Sequence, residues 1–60
     1  MQDTQIARSA LREGVSYLVQ WTDEPEPFWA VFVVEDRGFL CFRFAGRMIV
    51  ARPASIKILR

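Results

Sequence analysis

Val15-Ser16-Tyr17-Leu18-Val19-Gln20-Trp21-Thr22 decides the reading of this chain, because Val15, Tyr17, Val19 and Trp21 alternate with Ser16, Leu18, Gln20 and Thr22. A period of two puts the first set on one face of an extended strand and the second set on the other, the pattern of a half-buried strand. The same period recurs downstream. Phe28 to Glu35 is apolar on both faces, with Phe28, Ala30, Phe32 and Val34 on one and Trp29, Val31 and Val33 on the other. Phe39 to Ala45 places Leu40, Phe42 and Phe44 opposite Cys41 and Arg43. Arg47 to Arg52 reads as a fourth strand and Ile56 to Leu59 as a short fifth.

The breaks between these runs have turn chemistry. Asp36-Arg37-Gly38 and Ala45-Gly46 are tight turns, and Gly38 supplies a positive φ. Pro53-Ala54-Ser55 is a one-turn break before the last strand. Thr22 to Pro27 forms a loop with two prolines and three carboxylates, each residue before a proline being pushed to an extended conformation.

Upstream, residues 3–13 read as a short helix. Asp3 or Thr4 can cap its start and Gly14 can end it in the left-handed region. Ile6, Ala7, Ala10 and Leu11 form a narrow apolar stripe, and Arg8 and Arg12 sit one turn apart near the C-terminal end. A helix of about 11 residues is unstable alone, so it must pack on the sheet or on another chain. The expected architecture is therefore mainly β: one domain over residues 1–60, with a helix over 3–13 and a five-stranded antiparallel small barrel over 15–59.

The stretch from Gly14 to Leu59 resembles the SH3-like small-barrel superfamily, which includes Tudor-type and Sm-like domains. The resemblance is carried by Gly14-Val15 leading to Trp21, Phe28-Trp29-Ala30-Val31, Phe42-Arg43-Phe44-Ala45-Gly46 and Pro53-Ala54-Ser55-Ile56-Lys57-Ile58-Leu59. A helix ahead of the first strand is similar to the bacterial Sm-like RNA chaperones. What the resemblance implies is a closed barrel and, for the Sm-like branch, RNA as ligand and a homo-oligomer as the working form.

Sixty residues lie near the lower limit for a self-sufficient core. Disulfides, metals and oligomerisation are the usual supplements. Cys41 is the only cysteine and there is no histidine, so an intrachain disulfide is impossible and a zinc ligand set is missing. That leaves association with a second copy or a partner. The eight aromatic residues are a heavy load for so small an interior, and some are expected at an interface.

The same inventory weighs against catalysis. Without histidine no Ser-His or Cys-His pair can form, and no glycine-rich phosphate loop is present. The chain is expected to be a non-enzyme without cofactor, metal or evident small-molecule substrate. No apolar run approaches the roughly 18 residues of a membrane span. The first five residues lack a basic start followed by an apolar stretch, so no signal peptide is read and a cytoplasmic location is expected.

Charge is divided unevenly. Residues 1–36 hold seven acids against Arg8 and Arg12, whereas residues 37–60 hold six basic residues and no acid. Arg43, Arg47, Arg52 and Lys57 are the candidate nucleic-acid contacts, RNA more than DNA, with nearby rings available for stacking. The bland alternative is that these are solvated strand charges. A second constellation is the acidic loop, where Glu24 and Glu26 lie between Trp21 and Trp29. Carboxylates beside rings suit a cationic group on a partner protein, and a polar surface loop needs no ligand at all. Two function classes stand open: nucleic-acid binding through the basic strands, or a protein-interaction module, inhibitor or adaptor docking through the acidic loop and the doubly apolar strand.

Overall fold

A computed structural model describes residues 6–60. Its core is a single antiparallel sheet of five strands: β1 (Ser16–Trp21), β2 (Phe28–Asp36), β3 (Phe39–Phe44), β4 (Arg47–Ala51) and β5 (Ile56–Ile58). The strands lie in the order β4-β3-β2-β1-β5. The first four form a meander, and β5 returns across a single 3-10 turn at Pro53–Ser55 to pair with β1. No helix among the described residues is long and apolar enough to cross a membrane.

Alternation sorts the side chains as period two requires. Tyr17 and Val19, Ala30 and Phe32, Leu40 and Phe42, Ala51, Ile56 and Ile58 are buried together on one face. Val19, Leu40 and Phe42 are its most completely enclosed members, and Phe32 meets Phe42 edge-on at 5.5 Å. Phe28 stacks on Phe44 at 4.9 Å, tilted, and seals the margin of this core.

The doubly apolar β2 keeps its expected alternation only as far as Phe32. Phe32 pairs with Phe42, but the next registered pair is Val34 with Cys41, leaving Val33 as an inserted bulge residue. A bulge opposes two residues to one and reverses the phase beyond it. Val34 therefore joins the outer face with Trp29 and Val31, not the core face with Phe28, Ala30 and Phe32. It is half exposed for that reason.

Two expectations are corrected. The helix over 3–13 is absent among the described residues: Arg8–Ala10 is a lone 3-10 turn flanked by extended Ala7 and Leu11, and residues 3–5 lie outside the described residues. The cause is competition for the backbone. The Ile6 N–H donates to the Ile58 carbonyl at 2.7 Å, and the Arg12 N–H donates to the Tyr17 hydroxyl at 2.8 Å. An 11-residue helix is marginal in isolation, so such tertiary partners prevail over its propensity. Ile6 and Leu11 pack on the core as expected of the apolar stripe, but against the Tyr17 face and not against Trp29. Arg8 adds an exposed ion pair to Glu35 at 3.7 Å.

The second correction concerns closure. The sheet is open, not a barrel: β4 and β5 are its two edges. The turn at Pro53–Ser55 separates these strands, and the free side of β5 is engaged by Ile6.

Both β2–β3 and β3–β4 are joined by two-residue turns with positive φ at each position, Arg37 and Gly38 in one, Ala45 and Gly46 in the other. This is the type I′ geometry whose twist matches the flanking strands. Ala45, at φ 53°, carries a side chain in the left-handed region that asparagine tolerates better. Ala45→Asn is expected to stabilise the fold by up to about 1 kcal/mol, raising Tm by roughly 4–8 °C for a domain this small. A thermal melt showing an unchanged or lower Tm would mean the turn holds no such strain.

Candidate interaction face

The strand registers generate a second surface on the side away from the core. One row across the sheet runs Ser16, Val31, Arg43, Met48. The next runs Val34, Cys41, Val50. Leu18 opposite Trp29 completes the patch toward β1. Trp29, Met48 and Val50 are 55%, 52% and 57% exposed. Leu18, Val31 and Cys41 are half-buried between them. Arg43 is exposed among these apolar neighbours, with Val31 on one side and Met48 on the other.

This arrangement follows from local chemistry. β2 is apolar on both faces, so the half not used by the core must face outward. The bulge at Val33 then adds Val34 to that half. Among the described residues the N-terminal segment does not shield it, because Ile6 and Leu11 are committed to the opposite face. A contiguous apolar surface of this kind is unusual on a monomer and marks interaction sites.

The basic residues singled out in the sequence are not brought to one face. Arg43 lies on the outer face. Arg47 pairs with Phe44 and so belongs to the opposite parity, at the β3–β4 turn. Arg52 follows β4 and precedes the 3-10 turn. Lys57, on β5, pairs with Gln20 of β1; it lies three strands across and four residues along from Arg43, roughly 20 Å at ordinary strand spacing. The expected cluster was inferred from position along the chain, and strand parity divides it.

The acidic constellation also separates. Trp21 pairs with Ile56 and packs on the core, whereas Trp29 stands on the outer face beside Leu18. Glu24 and Glu26 are exposed in the loop between, and the Glu24 carbonyl accepts from the Gln20 side-chain amide at 3.0 Å. The two tryptophans lie on opposite faces of the sheet, Trp21 with the core residue Ile56 and Trp29 with the outward Leu18, so they do not flank one site.

Val34, Met48 and Val50 were missed as site residues. Met48 and Val50 carried a signal that sequence alone offered: they alternate in a strand whose other residues, Ile49 and Ala51, face the core. No cavity and no cluster of metal-binding side chains is found among the described residues.

The opposed placement of the two tryptophans has a spectroscopic consequence. Trp21→Phe, which leaves Trp29, is expected to emit at long wavelength and to be strongly quenched by iodide. Trp29→Phe, which leaves the half-buried Trp21, is expected to emit further to the blue and to resist quenching. Equal quenching of the two variants would contradict the facial assignment.

No family model, no curated protein and no solved structure matches this chain. Its functional reading therefore rests on the geometry of the outer face.

Proposed function

We propose that this chain is a non-catalytic protein-interaction module that docks through the outer face of β2, β3 and β4. The observation that carries the reading is the unbroken apolar surface of Trp29, Val31, Val34, Met48 and Val50 around the exposed guanidinium of Arg43. A large ring, a flexible thioether and an arginine are the residue types that concentrate at the centres of protein interfaces. Arginine amid apolar neighbours suits a partner carboxylate, since exclusion of water on docking strengthens that contact. The strand order, with one 3-10 turn before the last strand, supports kinship with the SH3-like modules, here with the sheet left open.

Nucleic-acid binding has less geometric support. A phosphate backbone needs a continuous basic track, and Arg43, Arg47, Arg52 and Lys57 are distributed over two faces and two edges.

The test is site-specific photocrosslinking in the source cells, with the photoreactive residue placed in turn at Trp29, Val50, Glu24 and Lys57. Positions 29 and 50 should yield the same discrete protein adduct, and positions 24 and 57 should not. Trp29→Ala should weaken that partner's affinity by about 30-fold, the effect of truncating a central aromatic anchor, while the far-ultraviolet circular dichroism stays unchanged. Adducts that form at Lys57 alone and are lost on nuclease treatment would replace this reading with nucleic-acid binding.

A further inference from the structure

The two edges of the sheet are not equivalent. β5 is three residues long, has Lys57 at its centre, and its Ile58 carbonyl already accepts a hydrogen bond from Ile6. Short length, a central lysine and a covering segment are the devices by which proteins protect an edge. Among the described residues β4 has none of these. It is five residues long, and Met48-Ile49-Val50-Ala51 contains no charge, no proline and no glycine.

Turn geometry specifies which of its backbone groups are open. In a two-residue hairpin the residues flanking the turn form a mutually hydrogen-bonded pair, here Phe44 with Arg47. Arg47, Ile49 and Ala51 therefore spend their N–H and C=O groups on β3, and those of Met48 and Val50 point to the open side. Among the described residues no backbone hydrogen bond outside the β3–β4 ladder uses either. Two donors and two acceptors in strand spacing match one kind of ligand, another extended backbone.

Charge selects among extended ligands. Arg47 begins the strand and Arg52 follows its end, with Arg43 on the adjacent strand, and no acid occurs from residue 37 onward. The single ion pair among the described residues, Arg8 with Glu35, leaves these arginines without a carboxylate within 4 Å. Self-pairing about Ile49 would place Arg47 of each copy beside the Ala51–Arg52 end of the other, a like-charge arrangement that disfavours pairing. The chain's own acidic loop is a poor strand, because Pro25 and Pro27 lack the N–H groups a ladder needs.

We propose that β4 is a strand-docking edge that takes an extended peptide segment of another protein, apolar at its centre and acidic at its ends, as a sixth antiparallel or parallel strand. This rests on the protein-interaction reading above and names its occupant. Alternate side chains of the added strand would lie beside Met48 and Val50, and its terminal carboxylates beside Arg47 and Arg52.

The experiment is calorimetric titration of the intact chain with three blocked peptides at low salt. The first alternates valine and threonine between paired glutamates, the second replaces the glutamates with lysines, and the third is the first methylated on adjacent backbone amides through its centre, so that neither of its edges can donate. The glutamate peptide should bind, and the lysine and N-methylated peptides should each bind at least about 10-fold more weakly, the loss expected on removing charge-assisted and backbone hydrogen bonds. Arg47→Glu/Arg52→Glu should reverse the preference between glutamate and lysine peptides. Val50→Pro, which removes an outward N–H at an edge, should abolish binding. The N-methylated peptide gives the same information with unaltered protein should that variant not fold.

Equal binding of the N-methylated peptide would overturn the edge assignment. Equal binding of the lysine peptide would overturn the acidic one. A dimer of the unliganded chain that Val50→Pro dissociates would give the edge to a second copy and overturn the proposal. Absence of peptide binding together with a protein adduct at Trp29 would reject the edge while leaving the interaction face standing. Absence of both would reject the two together.

Discussion

One inserted residue sets the relation between the two faces of this sheet. Val33 has no partner of its own, so β2 passes from the Phe32–Phe42 pair to the Val34–Cys41 pair. Were the ladder regular, Val34 would continue the buried series and Glu35 would turn outward. Instead Glu35 pairs with Leu40 on the core side, where Arg8 reaches it, and Val34 extends the outer row toward Val50. A single backbone irregularity thus ties the anchoring of the N-terminal segment to the composition of the exposed surface. Bulges also bend and twist the strand that carries them, which lets a sheet of this size curve over its own core.

The core that results is small, and the N-terminal segment supplements it. The N-terminal segment serves where a helix would be expected to serve, but by specific polar contacts. Its N–H groups at Ile6 and Arg12 meet a strand carbonyl and a tyrosine hydroxyl, and Ile6 and Leu11 fill the margin of the core. Hydrogen bonds of this kind each contribute about 1 kcal/mol net, and leaving either group unpaired in a partly buried place would cost more. That balance explains why the segment holds only one 3-10 turn, at Arg8–Ala10 between extended Ala7 and Leu11, where a helix was expected.

Strands and turns were legible in the sequence because their signals are local. Tyr17 and Val19, and Leu40 and Phe42, alternate with residues of other character, and Gly38 and Gly46 mark the tight turns with positive φ. The N-terminal segment was illegible because its conformation depends on partners far along the chain, Ile58 and Tyr17, which a helical pattern cannot anticipate. The bulge was hidden for a different reason: Phe28 to Val34 is apolar throughout, so no change of pattern marks where the phase reverses. The candidate sites suffered accordingly. Grouping Arg43 with Arg47 and Lys57 used proximity in sequence, whereas the registers place them by parity and strand order. Trp29 stands exposed on the outer face opposite Leu18, whereas Trp21 lies on the core side.

The bond from Ile6 to Ile58 has a bearing on stoichiometry. A sheet with two open margins is bivalent: each added strand presents a fresh margin on the other side, and growth can proceed as a filament. Here one margin is occupied from within the chain. A molecule with a single vacant margin can end a row of strands but cannot be an interior link in one.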